Sequence, residues 1–162
     1  MKKVFLLVKK DLYSEMRNAH SISSIILYVF ATVYIIYSAF INIQPQNWNV
    51  LFWIVFLFVS VNALLRSFDQ ENSNKALYFY QLAGPLQIFA AKFIFNTILL
   101  VLLGLLTLAL FSFVAGSPVR DYPLFLLTIL LAGIGFASIF SFISAIGAKT
   151  GNSHMLTAIL GF

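Results

Sequence analysis

Residues 93–115 read FIFNTILLVLLGLLTLALFSFVA, a run without Asp, Glu, Lys or Arg, bounded by Lys92 on one side and Gly116-Ser-Pro-Val-Arg-Asp-Tyr-Pro123 on the other. At 1.5 Å per residue this run makes a helix of roughly 34 Å, enough to cross a hydrocarbon core of about 30 Å. Working outward, similar uncharged runs lie at about 22–43, 48–65 and 124–146. The fold class that follows is all-α: a polytopic transmembrane helix bundle, with every backbone polar group satisfied inside its own segment.

The charges between the runs orient the bundle. Lys2, Lys3, Lys9, Lys10 and Arg17 precede the first run, Arg66, Lys75 and Lys92 separate the second from the third, and Lys149 follows the fourth. Of the ten Lys and Arg residues, Arg120 alone falls on the other side. Moving Lys and Arg across an energised membrane is unfavourable, so cytoplasmic loops collect them. The N-terminus and the 66–92 loop are therefore expected in the cytoplasm, with the chain in a bacterial cytoplasmic (inner) membrane.

Composition removes several function classes. With 61% hydrophobic and 9% charged residues, the chain lies far from soluble proteins, in which roughly a quarter of residues are charged. The net charge of +5 is accounted for by topology and lacks the interleaved stacking platform of a nucleic-acid binder. Absence of cysteine removes disulfides, thiolate metal sites and covalent haem attachment through C-x-x-C-H. Val4–Val8 is too short an apolar core for a cleavable signal, and Lys9, Lys10 and Asp11 interrupt it.

Residues 2–19 place Phe5, Val8, Leu12 and Met16 at spacings of three and four, with most charges elsewhere. The spacing predicts an amphipathic helix lying at the cytoplasmic interface, with membrane lipid as its partner. The turn from Asn42 to Asn49 reverses the chain outside, and Trp48 and Trp53 suit the outer aromatic belt. Gly116 to Pro123 forms the second outer turn, with Arg120 and Asp121 solvated. A fifth apolar run starts at Met155 and stops at Phe162, too short for the ~20 residues that a span requires. The whole of 1–162 is thus expected to be one transmembrane domain: four complete spans and the start of a fifth, from a plan that continues to a sixth.

Chemistry is scarce in this chain. None of the four runs contains an ionisable Asp, Glu, Lys or Arg, the groups that proton relays and ion-coupled carriers place at membrane depth. Asn62, Asn96, Thr97, Thr107 and Ser112 read as helix-packing hydrogen bonders. Gly147-Ala-Lys-Thr150 is no phosphate loop, because Ala148 stands where a Gly is required and no strand precedes it. If nucleotide drives the protein, another chain binds it. His20 and His154 sit at interfacial boundaries with no carboxylate partner, and read as ordinary interfacial histidines rather than haem ligands. No span presents a paired acid and base or metal-ligand spacing, so the chain is expected not to be an enzyme and to hold no metal.

Two features point to assembly. Gly133, Ala137, Ser141 and Ala145 form a small-residue ladder at every fourth position, which lets a neighbouring helix approach closely. The ladder places this span inside the bundle or at a subunit interface, and so admits a homodimer. In the 66–92 loop, Asn74 to Leu82 can form a short helix capped by Asn72 or Ser73 and ended by Gly84-Pro85. Asp69, Glu71, Lys75 and Gln81 are then available to a cytoplasmic partner. A second helix starts at Pro85 and passes through Lys92 into the third run.

The stretch Phe68-Asp-Gln-Glu-Asn-Ser-Asn-Lys-Ala-Leu77, with Gln81-Leu82, Pro85 and Lys92, resembles the first cytoplasmic loop of the haem exporter B subunit of cytochrome c maturation, the CcmB-like family. The likeness extends to the basic N-terminal helix, the span lengths and the Gly-Ala turn after the fourth run. The acidic-Gly-x-Leu-Glu phrase of that family appears as Asn72-Ser-Asn-Lys-Ala-Leu-Tyr78, without the Gly or the second acid. The resemblance implies an ABC-2-like permease of six spans, paired with a separate cytoplasmic ABC ATPase subunit that binds the ATP. It implies other cytochrome c maturation membrane subunits as partners, and haem as the ligand handled or exported, released outside to a periplasmic chaperone. The implied ATPase contact takes in Asp69, Glu71, Lys75, Leu77 and Gln81. Two other readings fit the same residues: a general ABC-2 permease for lipid, drug or glycan, and a non-transporting membrane scaffold.

Overall fold

The computed structural model of the chain describes residues 2–17, 19–40, 43–69 and 84–150. Among them there are five helices and no strand: α1 (Lys2–Arg17), α2 (Ala19–Ala39), α3 (Pro45–Asp69), α4 (Pro85–Ala115) and α5 (Tyr122–Thr150). Proline and glycine set the boundaries. Pro45 disfavours helix for the residue before it, and the Gln44 carbonyl accepts the first turn of α3 from the Trp48 N–H at 2.9 Å. Pro85 occupies the first turn of α4 after an extended Gly84, where a missing N–H costs nothing. At the other end Gly116 adopts φ +72°, a left-handed conformation that terminates α4 without a Cβ clash.

Among the described residues, three helices contain stretches long and apolar enough to cross a membrane: Pro45–Ala63, Leu86–Ala115 and Tyr122–Phe142. Within α2 the described apolar stretch is Ser23–Ala39. The first span expected at 22–43 thus stops short, because the chain has left the helix by Phe40 on its way to Pro45. Conversely α5 stays helical to Thr150, past the boundary expected at 146. Gly147 disfavours helix by only about 1 kcal/mol relative to Ala, too little to end it.

The core is organised around α4, which packs against all four other helices. Three of these neighbours contribute a buried apolar stripe: Ile25, Val29 and Val33 from α2; Trp48, Phe52, Val55, Phe56 and Val59 from α3; Ile129, Ala137 and Phe140 from α5. The opposite faces of these helices expose large apolar residues such as Leu27, Phe58, Phe113 and Leu131, as lipid-facing surfaces do.

Candidate functional site

At the Gly116 end, the bundle is closed by aromatic packing. Trp48 stacks on Phe52 with ring centroids 5.6 Å apart and an interplanar angle of 2°, and Phe52 stacks on Phe56 in turn at 6.3 Å. Phe111 of α4 meets Trp48 edge-on at 5.1 Å, and Phe125 of α5 lies 5.0 Å from Phe52. The Trp48 Nε1–H donates to the Gly116 carbonyl at 2.8 Å. Trp48 is 1% exposed, so it does not stand in a lipid-facing aromatic belt as its position suggested. A buried indole N–H needs an acceptor, and the free carbonyl at the end of α4 supplies one inside the bundle. Trp53 is half-buried, edge-on to Phe52 at 5.3 Å.

In mid-bundle, polar side chains do packing work. Thr97 and Thr107 donate to the carbonyls four residues back, Phe93 and Leu103, each at 2.8 Å, while Thr32 does the same to Tyr28. The Asn96 Nδ2–H donates to Ser141 Oγ at 3.2 Å, joining α4 to α5. Ser112 Oγ is buried with no hydrogen-bond partner among the described residues, and Asn62 is half-buried. Gly133, Ala137 and Ser141 are all buried, and a Cβ on Gly133 would lie 3.1 Å from Val101 Cγ2 of α4. The backbone of Ala145 continues the same helix.

The Lys92 end carries the charge. Lys92 lies two turns inside α4, within the apolar stretch that begins at Leu86, rather than at the edge of a span starting at 93. A cation in such a helix needs a counter-charge or a route to water. The adjacent α1, which packs against α4, carries charges of both signs. Lys10 Nζ lies 3.1 Å from Asp11 Oδ1. The less exposed face of α1 holds Val4, Leu7, Val8, Asp11, Leu12 and Glu15, with Glu15 only 8% exposed. The outward face presents Phe5, Leu6, Lys9, Lys10, Tyr13 and Arg17. Phe5, grouped by spacing with Val8 and Leu12, is 71% exposed. The helix is turned so that its two acids share the less exposed face with Val8 and Leu12, and Phe5 lies outside it.

The expected partner contact lies mostly outside the described residues. Asp69 is the last residue of α3, while Glu71, Lys75, Leu77 and Gln81, like His154, fall among the residues not described. The structure does bound the segment: it leaves α3 at Asp69 and enters α4 at Pro85, where the Gln87 and Ile88 N–H groups donate to the Gly84 carbonyl at 2.9 and 3.2 Å. Among the described residues no cluster of His, Asp and Glu could hold a metal ion. Two features escaped the sequence reading. Gly104 carries no motif, and only the crossing helices reveal its role. Asp11 and Glu15 carried a readable signal, their spacing of four, which was masked by the larger number of bases.

An all-helical bundle with three long apolar helices and a charged seam at one end is an integral membrane protein. The chain belongs to the CcmB family, the haem exporter protein B family: residues 2–162 match the family model described as CcmB protein. Membership associates it with cytochrome c maturation and haem export. No curated protein and no solved structure matches the chain.

Proposed function

We propose that this chain is the permease subunit of an ABC-type complex of the bacterial cytoplasmic membrane, converting ATP hydrolysis by a separate subunit into export of haem or its release to a periplasmic chaperone. The family match over residues 2–162 carries the reading. The distribution of Lys and Arg agrees with an orientation in which the N-terminus and the 66–92 loop face the cytoplasm. Three long apolar helices with the shorter α2 beside them are compatible with a membrane-spanning subunit of this kind. The chain itself catalyses no reaction. Its task is mechanical: it lacks a phosphate loop, so the push comes from an ATPase docked on the loop through Asp69, Glu71, Lys75, Leu77 and Gln81. Movement there enters the bundle along α3 and α4, whose ends flank the loop. Other maturation subunits receive the haem.

Deletion of the gene should abolish holocytochrome c, and the wild-type chain should restore it and co-purify with a phosphate-loop ATPase. The double substitution Asp69→Lys/Glu71→Lys should lower both ATPase retention and holocytochrome c by about tenfold or more, the scale of a lost set of interfacial charges. An unchanged cytochrome c complement after deletion, with an altered drug or envelope phenotype, would favour a general permease. Absence of any ATPase from the purified complex would favour a scaffold.

A further inference from the structure

The chain leaves α1 at Arg17 and enters α2 at Ala19, so α1 stands where the polypeptide joins the bundle. At about 100° per residue, Phe5, Leu6, Lys9, Lys10, Tyr13 and Arg17 share an arc of roughly 140°, and all of them are exposed. Phe5, Leu6 and Tyr13 are 71%, 62% and 67% exposed. The acids Asp11 and Glu15 lie outside the arc, on the less exposed face, from which Asp11 reaches Lys10 at 3.1 Å. The arc therefore keeps a positive charge through Lys9 and Arg17. Hydrocarbon disfavours such cations, and the exposed faces of α2 to α5 present Leu27, Phe58, Phe113 and Leu131 with no charge among the side chains described. Water disfavours large apolar side chains exposed side by side. The headgroup zone of a bilayer rewards both: apolar side chains enter the acyl boundary while long basic ones extend to the phosphates. Among the side chains described, the other exposed charges are Arg120 and Asp121, neighbours of opposite sign, so the excess of exposed cations collects on α1.

We propose that this outward arc of α1 is a docking surface for the phosphate headgroups of anionic bilayer lipids. Lys9 and Arg17 meet the phosphate oxygens, Lys10 is shared between phosphate and Asp11, and Phe5, Leu6 and Tyr13 set the depth of the helix. The line expected from spacing to rest on the membrane was Phe5, Val8, Leu12 and Met16, and the arc keeps only Phe5 of it. In place of the others it carries charge, and with charge comes a preference for one class of lipid. The surface needs no nucleotide, motor or cargo, so it stands apart from the proposed permease role.

The chain contains no cysteine, so Ser14→Cys, exposed beside the arc, can carry a single fluorophore. The full chain is reconstituted in phosphatidylcholine vesicles doped with lipid that is spin-labelled near the top of its acyl chain. The labelled lipid bears either a phosphatidylglycerol or a phosphatidylcholine headgroup, and quenching by the two is compared. The anionic lipid should quench at least about fivefold more efficiently, the enrichment that one basic side chain near the headgroups provides. Lys9→Gln/Arg17→Gln should bring the ratio below about twofold, since the cations that supply the enrichment are gone. Raising the salt concentration should lower the ratio of the parent too, because exposed charges are screened. The salt series involves neither of these substitutions, so it decides the matter if the double variant fails to accumulate. Equal quenching by both lipids in the parent, or a ratio unmoved by the double substitution or by salt, overturns the proposal. In native membranes with co-expressed partners, a photo-crosslinker on the same thiol should yield a lipid adduct. A protein adduct in its place assigns the arc to a partner subunit and overturns the proposal equally.

Discussion

Gly104 of α4 lies against both α3 and α5. A Cβ at this position would sit 2.6 Å from Ile129 Cγ2 and 2.9 Å from Phe56 Cε2. The Phe56 ring can shift, but a β-branched Ile129 with no exposed surface has nowhere to turn. Gly104→Ala should therefore destabilise the protein by about 1–3 kcal/mol, the usual cost of overpacking, measured as a lower Tm in detergent. Gly135, also helical, has open space around it; Gly135→Ala should leave Tm equal or higher, since Ala is the better helix former by about 1 kcal/mol. A fall of similar size in both variants would contradict the packing at Gly104. Nothing in the sequence separates these two glycines, because each lies in an apolar run and only a crossing helix makes one of them irreplaceable.

Among the elements, α5 meets α4 along Gly133, Ala137 and Ser141, and the polar member of that line bonds Asn96. Ala137 has no exposed surface, so Ala137→Leu must push the two helices apart. The expected cost is about 1–3 kcal/mol, read as reduced accumulation in the membrane and weaker assembly, and unchanged levels of both would rule it out. Ser141→Ala should be milder, about 0.6 kcal/mol, because interhelical hydrogen bonds in membranes contribute little on average. The spacing of this ladder was legible from residue types alone, since four-residue intervals on a helix define one face whatever lies opposite. Which helix lies opposite was not legible. The rotation of α1 is the clearest case: spacing grouped Phe5 with Val8 and Leu12, but Phe5 is exposed while Val8 and Leu12 share the less exposed face with Asp11 and Glu15.

At the scale of the whole molecule, the distribution of charge makes a topological prediction. A thiol introduced at Asn72 should resist an impermeant reagent in intact cells, while Ser117→Cys, in the exposed turn after α4, should react readily. Strong labelling at 72 in intact cells would invert the proposed orientation. Composition and hydropathy alone specify a helical, membrane-embedded chain, because hydrocarbon demands long uncharged helices. The sequence also carried enough of the loop pattern for the CcmB likeness, and the family match agrees. Helix packing is what makes α4 the hub, closes the bundle on Trp48 from within, crowds Gly104 against Ile129 and Phe56, and sets Asp11 and Glu15 on the less exposed face of α1. Those are properties of which surfaces meet. In an all-apolar run the hydrophobic pattern is the same all round the helix, and holds no instruction about its neighbour.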